Sequence, residues 1–150
     1  MKFYLDQSIK IENTQKASYI CISNHQVVSC KISARDKREL KLFFRKLNKP
    51  LIFKLFTFSV MCAHIIIKSQ AKNITIDDEY TNHRRNIKSF IIQVLSIYNH
   101  PLLSENINFQ SIGKNNQAHV QAYQAYKLNR TNLTINAQQI IILYEKVNKK

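Results

Sequence analysis

The sequence predicts one α/β domain in which three antiparallel strands come first and helices then alternate with two further strands. Up to residue 32, three short segments show strand-like apolar patterning and are joined by short polar links. From residue 33 onward, apolar residues recur at helical spacing in several segments. One glycine and two prolines in 150 residues argue against an all-β fold rich in tight turns, and 45% apolar residues argue against disorder. Residues 1–150 are therefore expected to form a single domain around one core.

The first strand is predicted over residues 2–12, where apolar and polar residues alternate. Asp6 interrupts this strand near its middle, and an acid inside a strand is costly unless it is paired or binds a cation. Beyond a polar turn at residues 13–16, the second strand covers residues 17–23. Residues 24–26 form a tight connection to the third strand at residues 27–32. Short connections of this kind predict antiparallel neighbours.

The first helix is predicted to begin at Ser33, because Ser33 and Asp36 have the spacing of a helix cap. Its inner face is an apolar stripe with helical spacing, made of Leu40, Phe43, Phe44 and Leu47. Glu39 lies on the flank of this stripe, which leaves two alternatives. It points toward the sheet, or it pairs with Arg35 one turn earlier on the helix surface.

Residues 51–70 are predicted to form a second helix that is apolar on most sides and therefore deeply buried. A membrane span is disfavoured, because Lys54 and His64 interrupt an apolar run at the short limit of about 17–25 residues. The first residues contain no apolar signal region, so the expected location is the cytoplasm. The three cysteines form no C-x-x-C pair, and reduced, buried thiols are expected.

An acidic strand is predicted over residues 73–80, where Ile74 and Ile76 alternate with polar residues. Three of the nine acidic residues of the chain follow one another here, namely Asp77, Asp78 and Glu79. Carboxylates that end a buried strand lie at the rim of a sheet, where α/β folds bind ligands. This stretch alone supports two interpretations equally: a metal or reaction site, and an acidic turn paired with neighbouring Lys and Arg.

The rest of the chain continues the alternation of helix and strand. A helix is predicted over residues 82–98, a short fifth strand over 107–112, and a helix over 115–127 with His119 in its first turn. Residues 130–133 are predicted to be a loop. Thr134 or Asn136 caps a last helix, and residues 148–150 form a basic tail.

The formal net charge of +14 predicts that the chain attracts polyanions, and nucleic acid is the first candidate. The alternative is that abundant Lys, Asn and Ile reflect an AT-rich genome. The cations expected near the acidic rim are Arg38, Lys41, Arg84, Arg85, Lys88 and Lys114. Each of them taken alone is more often a solvated surface residue than a phosphate contact. The sequence leaves a homodimer open.

Four positions in this order of elements carry a resemblance to a known family. Asp6 lies in the first strand, and Lys37-Arg38-Glu39-Leu40 lies in the first helix. Ile76-Asp77-Asp78-Glu79-Tyr80 closes the fourth strand, and His119 stands three residues before Ala122. In these features residues 1–127 resemble the ribonuclease H-like superfamily, which includes ribonucleases H and Holliday-junction-resolvase-like nucleases. The apolar helix at residues 51–70 is an insert relative to that family, and residues 131–150 add a C-terminal helix and the basic tail.

The resemblance implies a mixed five-stranded sheet with helices on both faces and a nuclease that uses two Mg²⁺ or Mn²⁺ ions. By this likeness Asp6 bridges the two ions, Asp77 holds the ion on the nucleophile side, and Glu39 holds the ion on the leaving-group side. Which of Asp77, Asp78 and Glu79 is the ligand in the acidic strand is left open, and the spacing favours Asp77. His119 stands where the family has an Asp, as it does in some resolvase-like relatives, and would position or deprotonate the water or bind the metal through nitrogen.

Three functions follow as expectations, and the third is an interaction or membrane-associated protein built around residues 51–70. The first is metal-dependent hydrolysis of phosphodiester bonds in RNA–DNA hybrids or structured DNA. The second is non-catalytic nucleic-acid binding by a protein with the same fold. The enzyme interpretation requires Asp6, Glu39 and Asp77 to converge within metal-bridging distance, and it fails if Glu39 points to solvent or if the fourth strand runs elsewhere.

Overall fold

The computed structural model describes residues 2–24 and 26–149 and has an α/β fold with one mixed sheet. Its strands are β1 (Phe3–Ser8), β2 (Ser18–Ser23), β3 (Val27–Ile32), β4 (Ile74–Asp77), β5 (Ile107–Gln110) and β6 (Leu133–Thr134). Its helices are α1 (Ala34–Lys46), α2 (Pro50–Ser69), α3 (Arg84–Ile97), α4 (Gln117–Leu128) and α5 (Ala137–Asn148). Two 3₁₀ turns, Thr81–His83 and Ser104–Asn106, precede α3 and β5. The predicted α/β class is confirmed.

The strands are ordered β5-β4-β1-β2-β3-β6 across the sheet. The first three strands form the predicted antiparallel meander, whereas β4 pairs with β1 in parallel and β5 pairs with β4 in parallel. The register aligns Leu5 with Ile76, and Ile76 with Phe109. Because β1, β4 and β5 run in the same direction, their carboxyl ends meet at one edge of the sheet.

The prediction of five strands is wrong, because the described part of the chain contains a sixth. The strand β6 lies within the predicted loop and the start of the last helix, and it pairs in parallel with the end of β3. The side chain of Asn132 accepts a hydrogen bond from the Ser29 backbone N–H at 2.9 Å, and this contact fixes the approach of β6. Two residues are too few to show an alternating apolar pattern, so the sequence carried no signal for this strand.

Alternate residues of β2 separate the two faces of the sheet. Ile20 and Ile22 belong to the main core, which also contains side chains of α1, α2, α3 and α5. Tyr19 and Cys21 pack instead with Ala122 of α4. Since neighbouring strand residues point to opposite faces, four helices cover one face and α4 covers the other.

The helix α2 is the central buried helix, as predicted from its apolar composition. Pro50 occupies its first turn, where the missing proline N–H costs nothing, and the helix ends at Gln70 in the left-handed conformation. It is the one helix among the described residues with the length and apolar character to cross a membrane. Of its most apolar 18-residue window, 67% is buried inside the protein, as is common for the core helix of a folded domain.

Side-chain caps fix where two of the helices begin. Ser33 Oγ accepts the Asp36 backbone N–H at 3.0 Å, which confirms the predicted start of α1. Asp36 Oδ1 also accepts the Ala137 backbone N–H at 3.1 Å, and so holds the start of α5 against α1. Of the two predicted caps for the last helix, the structure uses Asn136, which forms a capping box with Gln139.

The predicted first strand is longer than the observed one, because the chain turns sharply after Ser8. Ile9 has φ 67°, a left-handed conformation that ends the strand. Lys37 is fully buried beneath the following loop, where its Nζ donates to the Asn13 carbonyl at 2.5 Å and to Ser18 Oγ at 2.7 Å. Burial lowers the pKa of Lys37 from its ordinary value to about 8.

Several predicted boundaries differ from the observed ones by a few residues. The predicted helix over residues 82–98 begins at Arg84 because a 3₁₀ turn precedes it. The predicted fifth strand ends at Gln110 rather than at residue 112. The predicted connection at residues 24–26 includes His25, and the basic tail includes Lys150, and both of these residues lie outside the described part of the chain.

Candidate metal centre

Asp6 and Asp77 are brought together by the pairing of β1 with β4. The register that aligns Leu5 with Ile76 places the next residue of each strand, Asp6 and Asp77, side by side. Both side chains lie on the sheet face opposite Leu5 and Ile76, which is the face that α4 covers. Carboxylate oxygens of Asp6, Asp77 and Glu79 lie within 4.8 Å of one another. These three residues are called the acidic triad below.

Glu79 reaches the acidic triad because the chain folds back after β4. Its backbone N–H donates to the Asp77 carbonyl at 2.9 Å, which closes a tight turn at the end of the strand. Its Oε2 accepts a hydrogen bond from Gln7 Nε2 at 3.1 Å. Gln7 is itself buried, and its Nε2 also donates to the Tyr80 hydroxyl at 3.3 Å. Gln7 therefore orients Glu79 toward the two aspartates.

Asp6 is the most buried member of the triad, with 2% of its surface exposed. One carboxylate oxygen accepts the Gln7 backbone N–H at 2.7 Å, and the other accepts Nδ1–H of His119 at 2.8 Å. His119 lies in the first turn of α4, and 42% of its side chain remains exposed. Its Nε2 makes no hydrogen bond to any described residue, so this nitrogen is available to a ligand.

Asp77 is tied to the segment that follows β5. Its Oδ1 accepts the Ile112 backbone N–H at 2.8 Å, across the parallel pair of β4 and β5. Through Asp77 the acidic triad is therefore connected to β5 as well as to β1.

Burial and mutual repulsion raise the pKa values of two triad members. For Asp6, burial raises the pKa most, the hydrogen bond from His119 lowers it, and the nearby charge of Asp77 raises it. For Glu79, burial first and the charge of Asp6 second raise the pKa to about 7. Converging carboxylates that resist ionisation gain stability from a bound cation, because its charge offsets both effects.

The donor set fits a hard divalent cation. Carboxylate oxygens are the ligands that Mg²⁺, Mn²⁺ and Ca²⁺ prefer. On an octahedral ion with ligands at about 2.1 Å, neighbouring ligand atoms are about 3.0 Å apart and opposite ones about 4.2 Å apart. The oxygens of the acidic triad lie within 4.8 Å of one another. The three carboxylates therefore have to approach one another by up to about 2 Å to share one ion. The acidic triad can bind a metal ion.

Two predicted metal ligands lie outside this group. Glu39 is exposed on α1 and does not approach Asp6 or Asp77, so its assignment as a ligand is wrong. The reason is the rotation of α1, which buries Lys37, Leu40 and Phe44 and turns Glu39 to solvent. Asp78 points away from the triad, because both of its oxygens bind the Arg84 guanidinium, with Oδ1 at 2.9 Å from Nε.

The predicted nucleic-acid-binding cations fall into three locations. Arg38 and Lys41 are exposed on α1, where Arg38 Nη1 donates to the Thr14 carbonyl at 3.0 Å. Lys114 is exposed in the turn between β5 and α4. Arg84, Arg85 and Lys88 lie together at the start of α3 and line a cleft of about 540 Å³. The structure therefore groups the α3 cations and leaves the others apart from them.

Sequence reasoning missed the role of Gln7 and left Glu79 as one of three alternative ligands. Glu79 was recognised as part of the acidic stretch, yet the turn that folds it back onto Asp77 had no separate signal. The sequence does contain a signal for Gln7. Strand alternation places this residue on the same apolar face of β1 as Phe3 and Leu5. A buried polar side chain at such a position needs a polar partner, and here the partners are Glu79 and Tyr80.

Comparison with family models, with curated proteins and with solved structures gives no match for this chain. The resemblance to ribonuclease H-like nucleases accordingly depends on the residues quoted above.

Proposed function

We propose that this chain is a metal-dependent nuclease-type domain with a ribonuclease H-like fold, which hydrolyses phosphodiester bonds in RNA–DNA hybrids or structured DNA. The observation that carries the proposal is the convergence of Asp6, Asp77 and Glu79, with His119 bound to Asp6, at the carboxyl edge of the parallel strands. The net charge of +14 supports a polyanionic substrate. The three antiparallel first strands and the helices on both faces support the fold.

The acidic triad would hold Mg²⁺ or Mn²⁺. When bound, such an ion polarises a phosphoryl oxygen and lowers the pKa of a coordinated water. The two-ion enzyme implied by the family resemblance fails on its own criterion, because Glu39 faces solvent. The centre proposed in its place would hold one ion through Asp6, Asp77 and Glu79.

His119 is suited to act as the general base. Asp6 accepts the Nδ1 proton, which fixes the imidazole tautomer so that Nε2 carries a lone pair. The partly exposed ring can then take a proton from an attacking water. Asp6 has lone pairs left on both oxygens, so it can orient His119 and still bind a cation.

The proposal is tested by a cleavage assay in Mn²⁺ on a hybrid duplex and on a branched DNA substrate. The wild-type protein, Asp6→Asn and Glu79→Gln are compared under the same conditions. Activity in the wild-type protein that both substitutions abolish supports the proposal. Activity that survives both substitutions, or that persists in EDTA, contradicts it.

A non-catalytic nucleic-acid-binding protein is the second candidate, and two observations favour it. Both oxygens of Asp6 already accept hydrogen bonds from the protein, and the predicted ligand Glu39 is in solvent. The two candidates differ in one result. A binding protein does not cleave nucleic acid even as wild type, and Asp6→Asn retains its affinity for nucleic acid.

A further inference from the structure

A basic cleft lies beside β5, at the edge of the sheet. The cleft has a volume of about 540 Å³ and is lined by Arg84, Arg85, Lys88, Ser104, Asn108 and Phe109. A second hollow of about 300 Å³ shares Arg85, Lys88 and Ser104 with it and continues along α3 past Ser89 and Gln93. Together they form a groove, called the basic cleft below, that follows the outer side of the first turns of α3.

The positive charge of the basic cleft is only partly compensated. Arg84 pairs with Asp78, whereas Arg85 and Lys88 form no ion pair with any described carboxylate. Glu105 follows Ser104 in the chain, and it too forms no ion pair with them. Arg85 and Lys88 are three residues apart on α3, so their side chains emerge on the same side of the helix. Two adjacent cations in a concave surface favour an anionic ligand.

The wall of the basic cleft also supplies neutral hydrogen-bond donors. Ser104 contributes a hydroxyl and Asn108 an amide, and both groups commonly contact phosphate oxygens in nucleic-acid complexes. Asn108 Nδ2 already donates one proton to the Glu105 carbonyl at 3.4 Å, which leaves its second proton for a ligand. The ring of Phe109 packs against the main core and gives the cleft a rigid floor. This combination of two free cations, a hydroxyl and an amide suits phosphate groups rather than an apolar ligand.

The basic cleft is held at a fixed position relative to the acidic triad. Asp78 directly follows Asp77, and its two-oxygen contact with Arg84 connects the triad turn to the start of α3. In the sheet, Gln110 pairs with Asp77, and Asn108 lies two residues earlier on the same strand. Two residues of about 3.3 Å and one strand spacing of about 4.8 Å place the Asn108 backbone about 8 Å from that of Asp77.

We propose that the basic cleft binds the phosphate backbone of the nucleic acid on one side of the acidic triad, next to the reacting phosphate. This inference rests on the proposed function, because it assumes that the polyanion is a nucleic acid. It assigns Arg85 and Lys88 to phosphate contacts and Arg84 to the connection with the triad.

The test is fluorescence anisotropy of a labelled RNA–DNA hybrid, titrated with protein in EDTA at several KCl concentrations. The double variant Arg85→Gln, Lys88→Gln is compared with the wild-type protein. A matched control, Arg45→Gln with Lys46→Gln, removes the same two charges from the exposed last turn of α1. We expect the cleft variant to bind about ten-fold or more weakly than the control, and its salt dependence to fall by about two counterions.

Equal losses in the two double variants overturn the assignment of the cleft, since they show that only total charge matters. An absence of wild-type binding to the hybrid overturns it as well, even where Mn²⁺ binds the acidic triad. Cleft-dependent binding by a wild-type protein that cleaves nothing in Mn²⁺ upholds the cleft and overturns the proposed hydrolysis.

Discussion

His119 Nδ1 lies 2.8 Å from Asp6 Oδ2, although 113 positions separate the two residues in the chain. The contact joins the first turn of α4 to the middle of β1, on the sheet face where α4 packs. It links the most buried carboxylate of the acidic triad to a side chain that solvent reaches. An acid at this depth is costly unless it has such a partner.

Replacing His119 separates catalysis from metal binding. His119→Ala removes the proposed general base and leaves the three carboxylates in place. We expect the cleavage rate in Mn²⁺ to fall by about 10²–10⁴, with Mn²⁺ affinity changed far less. His64→Ala is the control, because His64 lies on α2 and contacts Val60 and Tyr98. Equal rates for His119→Ala and wild type would remove His119 from the mechanism.

Gln7 is expected to position Glu79 for metal binding. Gln7→Leu removes the donor to Glu79 Oε2, and losing such a support of a metal ligand typically lowers affinity about 10–100-fold. Tyr80→Phe is the control, since it removes the other partner of the Gln7 amide and leaves the contact with Glu79 intact. Calorimetry with Mn²⁺ measures both. An unchanged affinity in Gln7→Leu would show that Glu79 needs no such support.

The metal-free protein is expected to lose stability at Glu79 as the pH rises. The folded pKa of about 7 lies above the ordinary 4.5, so the folded state holds the proton more tightly than the unfolded state. That stabilisation is complete below pH 4.5 and is lost as the pH rises through 7. At pH 8 in EDTA, Glu79→Gln should therefore melt about 2–4 °C higher than wild type, and at pH 4.5 the gain should vanish. A lower melting temperature for Glu79→Gln at pH 8 would refute this sign.

Lys37 gives the opposite pH dependence. Its folded pKa of about 8 lies below the ordinary 10.5, so the unfolded state binds more protons between these values. The contribution of Lys37 to the free energy of unfolding therefore rises from pH 8 to pH 10.5, by at most about 1.4 kcal/mol per pH unit. We expect urea titrations to show that the free energy of unfolding of wild type rises relative to that of Lys37→Met as the pH increases over this range. Lys41→Met, on the exposed side of the same helix, should show no such change relative to wild type.

Much of the fold could be predicted from local sequence patterns. The third strand and the Ser33 cap appear where alternation and capping spacing predict them, because both signals are contained within a few residues. The approach of Asp6 to Asp77 was expected from the family resemblance, and the parallel pairing of β1 with β4 produces it. The two-residue strand β6 was not, because a long-range contact to Ser29 creates it.

The site was predicted less completely than the fold. Glu39 stood at the boundary between the buried and exposed sides of α1, where a small rotation decides the outcome. In the observed rotation of α1, Lys37 is buried beneath the loop after β1. No local sequence pattern predicts that a lysine is buried. Likewise Glu79 joins the triad through a turn whose backbone hydrogen bond returns to Asp77.

The most direct test of the acidic triad is a calorimetric titration with Mn²⁺ of three proteins, namely wild type, Glu79→Gln and Glu39→Gln. The two substitutions remove the same charge, one inside the triad and one from the exposed side of α1. We predict one bound ion in wild type, the same affinity in Glu39→Gln, and at least about ten-fold weaker binding in Glu79→Gln. Binding that Glu39→Gln weakens and Glu79→Gln leaves intact, or no binding in wild type, would contradict the metal centre.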